Sequence, residues 1–147
     1  MNKDIAAKFF GTWRLVSCIA QSPDEQTNYP FGKNAQGRAS FEPGHYSFQV
    51  LNPDRPKFSS ADPRDATDQE LRAAFAGYLA YYGFFVVKED VGTIVNHVEA
   101  ASIPNWVGSD QVRYYRFESN RLILRTPPLP RDGVELVLTL TWERLTF

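Results

Sequence analysis

Apolar and polar positions alternate with period two along most of this chain, the spacing of a β-strand that turns its two faces to different surroundings. Trp13, Leu15, Ser17 and Ile19 alternate with Arg14, Val16 and Cys18, predicting a first strand with two mostly apolar faces. Residues 38–42 and 45–51 are two further β-type runs, and Pro43-Gly44 between them predicts a hairpin. The same pattern recurs over 80–88, 93–101, 111–118, 121–126 and 134–144, punctuated by Asp90-Val91-Gly92, Ser119-Asn120 and Pro130-Arg131-Asp132-Gly133. These runs make eight strands. Tight turns between successive strands predict an antiparallel up-and-down barrel.

Two segments break the period. Ile5 and Phe9, four apart ahead of Gly11, suit a short helical segment lying against one end of the body as a plug. Asn28 to Gly32 reads as loop, and from 52 to 66 Pro53, Pro56 and Pro63 block regular structure. Thr67-Asp68-Gln69-Glu70 then has the form of a capping box, in which hydroxyl and carboxylate each satisfy a free backbone N–H. Leu71, Ala74, Phe75 and Tyr78 follow at helical spacing, predicting one inserted helix over about 67–78. A long loop plus an amphipathic helix is expected to cover an open mouth.

Closure is predicted by the two ends. Trp13 lies on the first strand and Arg144 on the last, and their stacking, worth about 0.5 to 2 kcal/mol, requires the sheet to meet itself. A closed sheet has no free edge to aggregate. A small closed barrel in turn implies a cavity.

Composition narrows the partners. At 147 residues, 43% of them hydrophobic, the chain suits one domain spanning 1–147 with a sizeable core. Sixteen Lys and Arg against 17 Asp and Glu give a formal charge of -1, so no long-range attraction draws nucleic acid or anionic lipid, and neither is expected as a partner. The basic and aromatic run from Arg113 to Phe117 lacks the glycine-rich companion and positive charge that would change this. Cys18 is the only cysteine, which excludes an intramolecular disulfide, and the first ten residues read as too short and charged for a signal peptide. A cytoplasmic protein is the expectation. His45, His97 and Cys18 fall on separate strands, so no metal site is expected, and no motif calls for a cofactor.

Gly11-Thr12-Trp13, Tyr29-Pro30-Phe31-Gly32, Gly37 and Gly44-x-Tyr46-Ser47 resemble the lipocalin-like domain family of small, mostly bacterial and fungal proteins. In the second half Asn96-His97-Val98-Glu99, Pro104-Asn105-Trp106-x-Gly108, Gln111-Val112-Arg113-Tyr114 and Leu124-x-Thr126-Pro127-Pro128 are similar to that family's central pattern. Together they span nearly the whole chain. The resemblance implies an eight-stranded lipocalin-like barrel and says little about activity, because similar barrels serve both as binders and in cyclisation or isomerisation. One departure is Asn96-His97, where the family often carries two adjacent histidines.

The candidate chemistry sits on neighbouring strands. His97 and Glu99 share one face of the fifth strand, and Arg113 and Tyr115 share one face of the sixth. Facing inward together, they would form an acid/base cluster near neutral pH, or a polar network that only orients a ligand. Tyr46 and Phe48 on the third strand, Tyr82 and Phe84 on the fourth, and Trp106 in the following loop are the candidate aromatic walls. The expected function is binding of a small, largely hydrophobic metabolite. A cofactor-independent isomerase or cyclase using His97 and Glu99 is the alternative, and a filled barrel is the third possibility.

Overall fold

The computed structural model describes residues 3–24 and 26–146. After a short helix α1 (Lys3–Ala7) come strands β1 (Gly11–Gln21), β2 (Thr27–Asn28), β3 (Gln36–Glu42) and β4 (His45–Leu51), then helix α2 (Asp68–Ala76). The second half is β5 (Tyr78–Lys88), β6 (Thr93–Ala101), β7 (Asp110–Glu118), β8 (Arg121–Arg125), β9 (Leu129–Arg131) and β10 (Val134–Arg144). The pairing order runs β1-β3-β4-β5-β6-β7-β8-β10 and returns to β1, giving a closed eight-stranded antiparallel barrel of the expected lipocalin-like form. The two short strands are side pairs, β2 on β1 and β9 on β10.

Closure is made where the chain ends meet. Trp13 pairs with Arg144 in the β1–β10 register, and the guanidinium lies 4.2 Å from the indole centroid. Trp13 Nε1 donates to the Phe9 carbonyl at 2.9 Å, while Arg144 donates to the carbonyls of Phe10 and Lys8, each at 2.6 Å. The last turn of the N-terminal segment is thereby tied to both closing strands. Phe9 is driven into the barrel, where its ring meets Phe117 at 4.9 Å, Tyr115 at 5.3 Å and Phe41 at 5.4 Å. It is the expected plug, and it fills this end of the barrel solid.

Local rules account for the turns. Gly44 has φ +80° in the β3–β4 hairpin, and Asp132 and Gly133 both have positive φ between β9 and β10, as a two-residue hairpin turn demands. The Thr67–Glu70 capping box is present in both directions. The helix it starts ends at Ala76 rather than Tyr78, because Gly77 closes it and Tyr78 is already paired with Leu51 in the sheet.

One irregularity decides which way side chains point. Gly83 pairs with Val98 and Tyr82 with Ala100, so Glu99 is the extra residue of a bulge in β6. A Cβ at position 83 would stand 1.9 Å from the His97 carbonyl oxygen, so only glycine lets the two backbones approach this closely.

Candidate functional site

The inner face of the barrel is read from burial. Ile94, Asn96 and Val98 point inward on β6, which sends Val95, His97 and Glu99 to the outer wall. On β7 the register sets Ile94 opposite Arg113 and His97 opposite Asp110, so Arg113 and Tyr115 point inward. The expected cluster is therefore split by the wall. His97 stacks on Phe84 at 4.4 Å and its Nδ1 lies 2.9 Å from an oxygen of the exposed Asp110, both on the outside. Glu99 is exposed at the bulge. Tyr82 and Phe84, expected as cavity wall, are 53% and 44% exposed on the outer face of β5, because Tyr81, Gly83 and Phe85 take the inward phase.

The inward residues divide between two ends. Tyr115 packs against the Phe9 plug at the closed end. Tyr46 is buried, and its hydroxyl donates to the His97 carbonyl at 2.9 Å, pinning the bulge from inside. Phe48, Trp106 and Arg113 reach the open half, where they line a cavity of about 440 Å³. That volume lies in the range of about 300–1,000 Å³ that accommodates small-molecule ligands.

Aromatic rings and aliphatic side chains make most of the wall. Phe48 lies against Tyr81 at 5.2 Å and Trp142 at 5.8 Å, and Tyr81 meets Trp106 edge-on at 5.3 Å. Leu124, Leu138 and Leu140 complete the opposite side. The mouth is framed by Phe31 from the β2–β3 loop, Phe75 and Ala76 from α2, Ile103 from the β6–β7 loop, and Leu129 and Arg131 from β9. The helix contributes Phe75 to the rim and Leu71 does not reach it, and both residues stay about half exposed. Arg55 anchors the helix end, donating to the Asn52 and Ala74 carbonyls and stacking on Tyr78 at 5.1 Å.

The polar groups of the cavity are few. Arg113 donates to the Val112 carbonyl at 2.8 Å and to Gln111 Oε1 at 3.4 Å, and Gln111 Nε2 donates to Ser109 Oγ at 3.1 Å. Burial raises the Tyr81 hydroxyl above its ordinary range, and the Arg113 guanidinium opposes that by charge and hydrogen bonding. Burial also pushes the Cys18 thiol up to about 12, so it faces the cavity as a neutral S–H. Trp142 Nε1 is buried with no partner. Neither a carboxylate nor an imidazole stands among the described residues lining the cavity. The geometry therefore offers apolar enclosure and hydrogen-bond donors, but no pair of groups to accept and return a proton.

Among the wall residues that sequence reasoning missed, three had a signal. Arg144 meets Trp13, so every second residue back along β10, namely Trp142, Leu140 and Leu138, shares its inward phase. Asn96, at the position where two histidines are often found, is fully buried between Ile94 and Val98 with its amide unpartnered.

The family model of the lipocalin-like domain matches residues 10–145, from the residue after the Phe9 plug to the residue after the closing Arg144. The chain belongs to the lipocalin-like domain family. Among curated proteins, the lipocalin-like chain is similar to a 4'-hydroxy-3'-methoxypropiophenone carrier protein of Aspergillus oryzae (strain ATCC 42149 / RIB 40), with 36% identity over 106 residues. The match covers 67% of this chain and 96% of the fungal protein. No described helix is long and apolar enough to cross a membrane.

Proposed function

We propose that this lipocalin-like protein is a carrier that holds one small, flat, largely apolar aromatic molecule in the open half of its barrel. The observation that carries the reading is the cavity wall: Phe48, Tyr81, Trp106 and Trp142 enclose about 440 Å³, with a few donors set among them. Aromatic walls take a planar ring by dispersion and area burial, and isolated donors orient its oxygens. The name of the fungal relative supports the same class, because an aryl ketone with hydroxyl and methoxy substituents is flat and carries three acceptor oxygens. Nothing in the cavity favours the isomerase alternative, whose histidine and glutamate lie on the outer wall.

Isothermal titration with 4'-hydroxy-3'-methoxypropiophenone tests the reading. The expected result is one site per chain, with Phe48→Ala and Trp106→Ala each weakening binding by about 1–3 kcal/mol through lost aromatic burial. Phe84→Ala on the outer wall leaves affinity unchanged. Equal losses at Phe48 and Phe84, or no saturable binding of this or related aryl ketones, would overturn it.

A further inference from the structure

The cavity's unspent polar groups are mostly donors, beside the Tyr81 and Thr126 hydroxyls, which can also accept. A guanidinium carries five N–H groups and no acceptor, and in Arg113 the contacts to Val112, Gln111 and the Tyr81 hydroxyl do not use all of them. No carboxylate of the described residues forms an ion pair with it. The ring of Trp142 lines the same cavity, with its own indole N–H buried and unpartnered behind that surface. Thr126 Oγ1 accepts from the Leu138 N–H at 3.0 Å, which leaves its own hydrogen to give. Gln111 has its oxygen on Arg113 and its amide nitrogen on Ser109. A cation held against apolar walls without a counter-ion favours the arrival of an anionic acceptor.

We propose that the cavity takes its aromatic ligand as an anion, a phenolate conjugated to a carbonyl group, with Arg113 as its counter-ion. This rests on the carrier reading above. In a phenol with a para ketone the anion is a vinylogous carboxylate, its charge shared between phenolic and carbonyl oxygens, so either end of the molecule supplies an anionic acceptor to the guanidinium. Two effects compete. Removing the ligand from water favours its neutral form, whereas an opposite charge within hydrogen-bonding distance favours the anion. Arg113 has no carboxylate partner among the described residues before the ligand enters, so a charge-assisted bond to it tips the balance to the anion.

The other titratable groups do not cancel this field. Tyr81 of β5 and Tyr46 of β4 are held protonated chiefly by burial, and Cys18 of β1 stays a thiol. Tyr115 of β7 lies at the plug and its hydroxyl is also raised by burial, while Tyr78 and Arg131 stand at the mouth. Glu99, Asp110 and His97 act only from the outer wall, where Asp110 is paired with His97.

Absorbance titration of 4'-hydroxy-3'-methoxypropiophenone with saturating protein reads the charge of the bound ligand, since the phenolate absorbs at longer wavelength than the phenol. The expected result is half-ionisation of the bound ligand at least about one pH unit below that of the free ligand. Arg113→Met should return it to or above the free value and weaken binding of the phenolate about tenfold or more. The same variant should bind 3',4'-dimethoxypropiophenone, which has no phenol to ionise, nearly as tightly as the parent protein. Arg113→Lys, which keeps the charge, should retain a downward displacement and guards against a methionine variant that misfolds. A bound phenol that stays neutral in the unaltered protein, or equal losses for both ligands in Arg113→Met, overturns the proposal and leaves the carrier reading standing. If neither compound binds the unaltered protein, the carrier reading fails and this one with it.

Discussion

Arg144 concentrates three interactions in one side chain: it stacks on Trp13 at 4.2 Å and donates to two carbonyls of the segment that carries the Phe9 plug. Its truncation leaves those carbonyls unpaired and the indole face open, so Arg144→Ala should lower unfolding stability by about 2–4 kcal/mol in urea titration. Arg144→Lys should recover less than half of that, since an ammonium cannot stack flat and reach both carbonyls at once. A loss below about 0.5 kcal/mol, the level of an exposed charge, would mean that closure does not depend on this residue. The pair was legible in the sequence because two residue types at opposite ends of the chain had one obvious use for each other. The split of His97 and Glu99 from Arg113 was not. Period two says that His97 and Glu99 share a side, but the side itself is set by Ile94 and Val98 competing for the core, with buried Asn96 obscuring the contrast.

Among the elements, α2 is the one whose stability bears on ligand exchange. It has no fully buried residue, its start depends on the Thr67–Glu70 capping box, and its Phe75 reaches the cavity rim. Thr67→Ala removes one cap at a cost of about 1 kcal/mol to the helix. Opening of the mouth, and with it the dissociation rate in stopped-flow experiments, should rise about fivefold while the global melting temperature moves little. Phe75→Ala should raise the same rate with the helix intact. If neither variant alters dissociation, the helix is not a lid. Capping, hairpin turns and the main strands were readable because each is a local rule. Short β2 and β9 were not, since two or three residues carry no period and pair only because β1 and β10 extend beyond the barrel.

For the molecule as a whole, burial of titratable groups in the barrel sets its response to alkali. Cys18 is raised from 9.0 to about 12, and Tyr46 and Tyr81 are raised as well, chiefly by desolvation. Above pH 9 the unfolded chain releases these protons and the folded one keeps them, so the folded state binds more protons and stability falls as pH rises. Below that pH these three groups contribute no slope. Urea midpoints followed across this range should decline, and Cys18→Ala should flatten the decline. A midpoint that holds steady between pH 9 and 12 would show that the thiol is not held in the apolar wall.

The central claim is that a ligand enters the open half of the barrel and touches neither the plugged end nor the outer wall. The three tryptophans divide along that line: Trp142 and Trp106 line the cavity, whereas Trp13 is bonded to the Phe9 carbonyl at the closed end. A nitrogen-15 correlation spectrum resolves their three indole N–H signals. On titration with 4'-hydroxy-3'-methoxypropiophenone the Trp142 and Trp106 signals should move, because their rings line the cavity, and Trp13 should stay in place. Stationary Trp142 and Trp106 signals, with perturbations gathered instead around Phe84 and His97 on the outer wall, would contradict the account.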